Sequence, residues 1–150
     1  MYKDLINPGC LERKSLMLKA PTINCNLRRH FIRGYVDGDG CLTYSKNNPL
    51  SMTINIIGTE DVLKFIYKSI FEDDNFILLQ DNRFHNEYTK YITLGREKSR
   101  IASYILYEDS KIYLQRKFDR HILTKTAVLD RDIHYYDRVK SVKSEMTIPR

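Results

Sequence analysis

The chain has 150 residues, of which 42% are hydrophobic and 29% charged, a balance typical of a soluble globular domain of ordinary size. No apolar run is long enough for a membrane span, no signal peptide is recognisable, and three irregularly spaced cysteines favour neither a disulfide framework nor a zinc site, so we expect a cytoplasmic or organellar-matrix protein that is not secreted. The net charge of +6 favours a polyanionic partner, although charge alone does not distinguish DNA from RNA or an acidic membrane.

Residues 1–26 are predicted to form an N-terminal extension to the main domain. They contain turn-forming residues, Pro8, Gly9 and Pro21, around a basic, helix-like piece from Leu11 to Lys19. A role of this extension in DNA contact would rest on its positive charge alone.

The segment 31–40, FIRGYVDGDG, predicts a helix that packs closely against another helix. Gly34 and Gly38 lie four residues apart, so on a helix they share one face and let a second backbone approach. Each interior glycine costs roughly 1 kcal/mol against alanine, which favours a partner helix as compensation. The helix should end near Gly40, because glycine commonly follows the last helical turn.

Two acidic residues, Asp37 and Asp39, fall at the predicted end of this helix. An acid at the negative pole of the helix dipole favours a bound cation, and hard divalent cations prefer oxygen ligands. The alternative that the residues leave open is a solvated Asp-Gly turn. A calcium loop of the EF-hand type fits poorly, because Cys41 and Asn48 occupy its fifth and twelfth positions.

Residues 32–40 resemble the LAGLIDADG motif of homing endonucleases, with the glycines and both aspartates in place and Arg33 where the name motif has alanine. In that family two motif helices pack on each other, and the last aspartate of each motif binds the divalent metal used to cut DNA. The resemblance therefore implies a metal site at Asp39 and Gly40. It implies an interface between two helices formed by Gly34, Gly38, Asp37 and Arg33.

The chain carries one copy of this motif, so a second protein chain is the simplest source of the partner helix. Members of the family with a single motif are homodimers that act on near-palindromic DNA. We therefore expect a homodimer.

After Gly40 the pattern changes to the alternation of strands. Residues 41–47 predict a first strand, a turn follows at Asn47-Asn48-Pro49, and residues 50–56 alternate strictly between apolar and polar side chains. Leu50, Met52, Ile54 and Ile56 are predicted to face the core. The opposite face is either an ordinary solvent face or a row of short polar groups that reads base edges in a DNA groove. That row comprises Thr43, Ser45, Asn47, Ser51, Thr53 and Asn55.

A helix is predicted from Thr59, which can cap it, with Val62, Ile66 and Ile70 covering the sheet. Strands are predicted over 75–80 and 87–94, joined by a loop over 81–86. In the last strand, the pattern does not decide whether the face of Tyr88, Lys90 and Ile92 or that of Thr89, Tyr91 and Thr93 is inside. The resemblance favours Lys90 on the DNA side, and DNA contacts are also predicted for Gln80, Arg83 and Tyr88.

Two more helices are predicted, over 97–107 and after a cap at Ser110, with an apolar stripe of Leu114, Phe118 and Ile122 in the second. Gln115-Arg116-Lys117 beside that stripe is either a solvated basic face or, by the resemblance, the source of a basic residue near the metal. Lys117 is the first choice for that role and Arg116 the second. Residues 124–150 are predicted to be a basic tail whose Lys140 and Lys143 contact phosphates.

The predicted fold is α+β, with the element order of the αββαββα LAGLIDADG domain over about residues 27–123. The resemblance implies a four-stranded, antiparallel, saddle-shaped sheet covered by helices. The chain departs from the family at one position. The family often has a polar residue, commonly glutamine, near the metal-bound water at the end of the second strand, and this chain has Gly58 there.

The resemblance implies a metal-dependent, site-specific endonuclease of double-stranded DNA. We expect Mg²⁺ as the cofactor, Mn²⁺ as an alternative, and Ca²⁺ to support binding without cutting. Two alternatives stay open: a DNA-binding regulator with inactive chemistry, and an RNA-binding maturase that helps an intron to splice.

Overall fold

The structure, a computed structural model, describes residues 17–45, 47–72, 77–80 and 89–146. Two predicted DNA contacts, Arg83 and Tyr88, lie outside the described residues, as do the side chains of Gln80 and Lys143. Within the described ranges the elements are, in chain order, α1 (Cys25–Asp39), β1 (Gly40–Ser45), β2 (Asn48–Gly58), α2 (Glu60–Phe71), β3 (Leu79–Gln80), β4 (Lys90–Leu94), α3 (Arg96–Tyr107), α4 (Gln115–Leu129) and α5 (Tyr135–Met146).

These elements confirm the predicted α+β class. The strands lie in the order β1-β2-β4-β3, and β3 pairs antiparallel with β4, with Leu79 opposite Tyr91. The strand predicted over 75–80 forms at Leu79–Gln80, and residues 77–78 before it have no regular structure. Among the described residues, no helix is long and apolar enough to cross a membrane.

The described residues divide into two compact units. The first, called the motif unit, consists of the described residues of 1–41 and 55–93. The second, called the hairpin unit, consists of those of 42–54 and 94–150.

In the motif unit, α1 packs against α2 over a core of aliphatic side chains. Thr59 caps α2 as predicted, since its side chain accepts a hydrogen bond from the backbone N–H of Val62 at 3.4 Å. The end of the predicted N-terminal extension also contacts this helix start, because the backbone N–H of Ala20 donates to Asp61 Oδ2 at 2.7 Å. The core side chains, each at most 2% exposed, include Ile32, Val36, Ile56, Val62, Leu63, Ile66, Ile70 and Ile92.

In the hairpin unit, the paired part of β1 and β2 contributes Leu42, Met52 and Ile54 to a core completed by the later helices. The alternation predicted for β2 is thus confirmed, since Met52 and Ile54 are fully buried. In the region predicted as a basic tail, residues 124–129 end α4, residues 130–134 form turns, and residues 135–146 form α5. Tyr136 of α5 stacks on Tyr104 of α3 with ring centroids 4.3 Å apart.

The prediction for α4 is wrong in its start and in its buried face. The helix begins at Gln115, and Ser110 instead donates its hydroxyl hydrogen to the carbonyl oxygen of Tyr107. Leu114 and Ile122, two members of the predicted apolar stripe, are 36% and 40% exposed. The side chains that this helix buries are mostly polar, and polar groups can be buried when they are hydrogen-bonded. They are Lys117, His121, Thr124 and Val128.

Candidate functional site

Asp39 is the last residue of α1 and is exposed. The helix is capped at its start by Asn24, whose side chain accepts from the backbone N–H of Asn26, and its last turn is closed by a bond from the Gly40 N–H to the Val36 carbonyl. A Cβ on Gly40 would lie 2.6 Å from that carbonyl oxygen. Glycine is therefore required for space at the point where the helix passes directly into β1 and leaves Asp39 at its negative pole.

The two motif glycines lie on the outer surface of α1. A Cβ added to Gly34 or to Gly38 would meet no atom within 4 Å. Leu27, which is 57% exposed, and the exposed His30 share this helix face, because the spacings of three and four residues repeat the helical turn. We call Leu27, His30, Gly34 and Gly38 the glycine stripe. Among the described residues, no side chain covers the two glycines of this stripe.

Two further residues were predicted at the same interface. Asp37 is half-buried. Arg33 is 5% exposed, and its Nη2 lies 3.0 Å from Nδ1 of His30. The Arg33 guanidinium therefore lies beside His30 of the glycine stripe, and little of its surface is exposed to a partner.

Tyr35 joins α1 to the end of β2 within the motif unit. Its hydroxyl donates a hydrogen bond to the carbonyl oxygen of Ile57 at 3.0 Å, and a Cβ on Gly58 would lie 2.4 Å from that hydroxyl. The phenol therefore fills the space that a side chain at residue 58 would take. Burial and, to a smaller degree, the charge of Asp39 raise the pKa of Tyr35 to about 12, so the phenol stays protonated.

In the hairpin unit, the structure brings four of the predicted DNA-reading residues onto one face of β1 and β2. Thr43 Oγ1 and Thr53 Oγ1 lie 2.9 Å apart, and Ser51 Oγ accepts from the backbone N–H of Ser45 at 2.8 Å. The fifth, Asn47, is not on the strand. It is an exposed turn residue with φ of 67°, a left-handed conformation that asparagine tolerates well.

In the motif unit, Asn55 and Thr93 form a pair on the strand face opposite the core. Thr93 Oγ1 donates to Asn55 Oδ1 at 2.6 Å. This hydrogen bond orients the Asn55 amide, whose NH₂ group and second oxygen lone pair can still bond a ligand.

The assignment of Lys90 to the DNA-facing side of β4 is wrong. Lys90 shares its face with Ile92, which is 2% exposed, since side chains two residues apart in a strand point the same way. The charge of Lys90 affects the pKa of an acidic residue on α2. The pKa of Glu60 is lowered mainly by Lys64, through a hydrogen bond and its charge, and in addition by the charge of Lys90.

The two basic residues chosen for the metal-proximal role begin α4 in the hairpin unit. Arg116 is exposed, whereas Lys117 is 2% exposed. Lys140, the predicted phosphate contact of α5, is exposed and lies with its Nζ 5.8 Å from the centre of the Tyr104 ring.

Sequence reasoning missed a buried polar network in the hairpin unit. His121 Nδ1 lies 2.9 Å from Ser103 Oγ, and His121 Nε2 lies 3.4 Å from Glu108 Oε2. Lys125 donates to the other oxygen of Glu108 at 2.6 Å. Serine, histidine and glutamate in contact resemble a hydrolytic triad, but Ser103 and His121 are each 1% exposed, so no substrate reaches them. No short sequence motif marks these dispersed residues.

Burial lowers the pKa of His121 to about 4, although the charge of Glu108 opposes the shift. Burial would raise the pKa of Glu108, but the hydrogen bond and charge of Lys125 bring it below its usual range. The histidine is therefore neutral at neutral pH and acts as a structural contact between α3 and α4.

Among the described residues, no three His, Cys, Asp or Glu side chains cluster as metal ligands. The donor type at the end of α1 nevertheless suits a hard cation, because Asp39 presents an exposed carboxylate there.

Among solved structures, the chain resembles the group I intron-encoded homing endonuclease I-CeuI in its complex with DNA. The TM-score is 0.52 and the identity 14%, over 89% of this chain and 67% of that one. No protein-family model and no curated protein matches the chain. At this identity the likeness establishes the fold: the chain has the LAGLIDADG homing endonuclease fold that its motif predicted.

Proposed function

We propose that the protein is a homodimeric, metal-dependent endonuclease that cuts double-stranded DNA at specific, near-palindromic sites. The proposal is supported by the shared fold with a homing endonuclease that was solved on DNA, and by the net charge of +6. The observation that carries it is the glycine stripe, an uncovered helix face that ends at an exposed acid.

The glycine stripe has the properties of a helix-packing surface. Gly34 and Gly38 lie inside the helix with open space where a Cβ would stand, as far as the described residues show. Each forgoes roughly 1 kcal/mol relative to alanine, and a second helix approaching closely would compensate. A two-fold axis through this face makes the contact self-complementary. It also brings a second Asp39 to the same end of the helix pair, adding oxygen ligands that one chain does not supply.

In this proposal Asp39, with its symmetry mate, holds a divalent cation, Mg²⁺ or Mn²⁺, close to the Gly40 backbone. A bound cation of this kind activates a water and stabilises the leaving oxygen of the phosphate. Positive charge at the phosphate is proposed for Arg116, because Lys117 is only 2% exposed. Of the two, Arg116 is the one exposed in a single chain.

DNA recognition in this proposal uses the polar side chains of the strands. Thr43, Ser45, Ser51, Thr53 and Asn55 present short hydrogen-bonding groups of the kind that read base edges. Contacts to phosphates, with Lys140 among them, supply the salt-dependent part of the affinity.

The test is cutting of a randomised library of double-stranded DNA with Mg²⁺, read by sequencing of the ends. The expected result is a set of discrete cut sites that disappears in Asp39→Asn, by a factor of at least about 100, and when Ca²⁺ replaces Mg²⁺. The control is Asp61→Asn, which changes an exposed residue of α2 and should leave cutting unchanged.

Selective DNA binding without cutting under any metal would replace the nuclease with a DNA-binding regulator. Binding to structured RNA and not to DNA would favour the maturase.

A further inference from the structure

The end of β2 carries no side chain of its own to place beside Asp39. Residue 58 is glycine, and the Tyr35 hydroxyl stands 2.4 Å from the position of the missing Cβ. The next nearest atoms, Cζ of Tyr35 and Cδ2 of Leu63, are at 3.4 and 3.6 Å, an ordinary contact distance. The tyrosine hydroxyl and a side chain at 58 therefore exclude each other, and this chain has the hydroxyl.

The same hydroxyl belongs to the helix that carries Asp39. Tyr35 and Asp39 are four residues apart on α1, so their side chains are neighbours on one side of the helix. Burial and, to a smaller degree, the negative charge of Asp39 raise the pKa of the Tyr35 phenol to about 12.

The hydrogen bonds of the phenol define what it can do there. It donates its single hydrogen to the Ile57 carbonyl, so its oxygen has acceptor capacity left and no second donor. Water held beside a cation offers hydrogens, which such an acceptor can orient.

We infer that Tyr35 is a positioning residue of the Asp39 site: its hydroxyl replaces a residue-58 side chain and holds water next to the Asp39 carboxylate. This inference rests on the proposed function, since it needs a cation at Asp39. The inference places the water-orienting group on α1, because residue 58 is glycine and has no side chain for that role.

The first part of the test is a double-mutant cycle on folding, measured by urea unfolding. Gly58→Ala should destabilise the protein by about 1 to 3 kcal/mol, because the added methyl collides with the hydroxyl. In Tyr35→Phe the colliding atom is gone, so adding Gly58→Ala should cost much less. Equal costs of Gly58→Ala in the two backgrounds would overturn the claim that the hydroxyl occupies the side-chain space.

The second part measures cation affinity, with Mn²⁺ as the probe and its unbound fraction counted by electron paramagnetic resonance. Wild type should bind Mn²⁺ in a manner that Asp39→Asn abolishes, and Tyr35→Phe should weaken that binding by roughly tenfold or more. Ile32→Val, a buried change on the same helix, is the control for lost stability and should leave affinity unchanged.

Two results would contradict the inference in different ways. Unchanged Mn²⁺ affinity in Tyr35→Phe, with Asp39-dependent binding intact, would reduce Tyr35 to a packing role and leave the proposed function standing. Absence of any Asp39-dependent binding in wild type would overturn the metal site of the proposed function, and with it this inference.

Discussion

At the scale of single residues, the space and the neighbouring atoms around a position explain which residue type stands there. Gly40 is glycine because the Val36 carbonyl stands 2.6 Å from where its Cβ would be, whereas Gly34 and Gly38 have open space. The three glycines of this motif are therefore required for two different reasons. The closure of a helix explains Gly40 within one chain, while the other two are explained by a partner chain in the proposed dimer.

His121 predicts a pH dependence of folding. The pKa of this histidine is about 4 in the folded chain and 6.5 in the unfolded chain, so below pH 6.5 the unfolded chain binds a proton that the folded chain does not. Stability should be level above about pH 6.5, fall by about 3 kcal/mol between pH 6.5 and 4, and lose no more from this group below that.

Urea unfolding at a series of pH values checks this, with His121→Gln as the comparison. The variant should be less stable at pH 7 and should lack the fall between pH 6.5 and 5. Glu108 has a lowered pKa, so its contribution is lost at lower pH, below its unfolded value of 4.5. A variant with the same slope as wild type between pH 6.5 and 5 would assign the dependence to another group.

At the scale of elements, periodicity was reliable where a face was buried by apolar residues. The alternation along β2 correctly predicted Met52, Ile54 and Ile56 as core. It failed for α4, whose buried face carries His121 and Thr124. Thr124 Oγ1 donates to the Pro49 carbonyl at 3.1 Å, so this face is polar yet hydrogen-bonded, and an apolar pattern could not reveal it.

The strand pair of Asn55 and Thr93 yields a prediction about DNA reading. Thr93→Val keeps the shape of the side chain but removes the hydroxyl that orients the Asn55 amide, so the amide can present either end to bases. Preference at the base that Asn55 meets should fall by roughly 1 kcal/mol, about fivefold, in a library-binding assay. Thr93→Ser, which keeps the hydroxyl, should retain the preference.

If Asn55→Ala alters base preference while Thr93→Val does not, the asparagine reads DNA without help from its neighbour.

At the scale of the whole molecule, the proposed assembly depends on the glycine stripe. Gly38→Leu should fold, since nothing lies within 4 Å of the added Cβ and leucine favours helices. In a symmetric dimer the bulk enters twice, at about 1 to 3 kcal/mol each, so the dissociation constant should rise by roughly 30-fold or more. Analytical ultracentrifugation measures this directly.

The matched control is Gly95→Leu, which places the same side chain at another glycine with open space. It should leave the association state unchanged. A wild-type protein that sedimented as a monomer at every concentration, with or without DNA, would contradict the proposed dimer.

The amino-acid sequence by itself determined the α+β class, the helix that ends at Asp39, the cap at Thr59 and the buried face of β2. These features follow from local spacing, capping and alternation, which act between residues near each other in the chain. The motif predicted the fold, and the structural likeness confirmed it.

Only the tertiary structure decided which face of β4 is buried, that the Arg33 side chain is buried with its guanidinium beside His30, and that Tyr35 fills the space at Gly58. It alone placed Ser103, Glu108, His121 and Lys125 in one network. Most of these facts depend on contacts between residues far apart in sequence, and even the turn of Arg33 towards His30 is a choice of side-chain conformation. Local sequence patterns predict neither long-range contacts nor side-chain conformations, because burial and hydrogen bonding are determined when the elements pack.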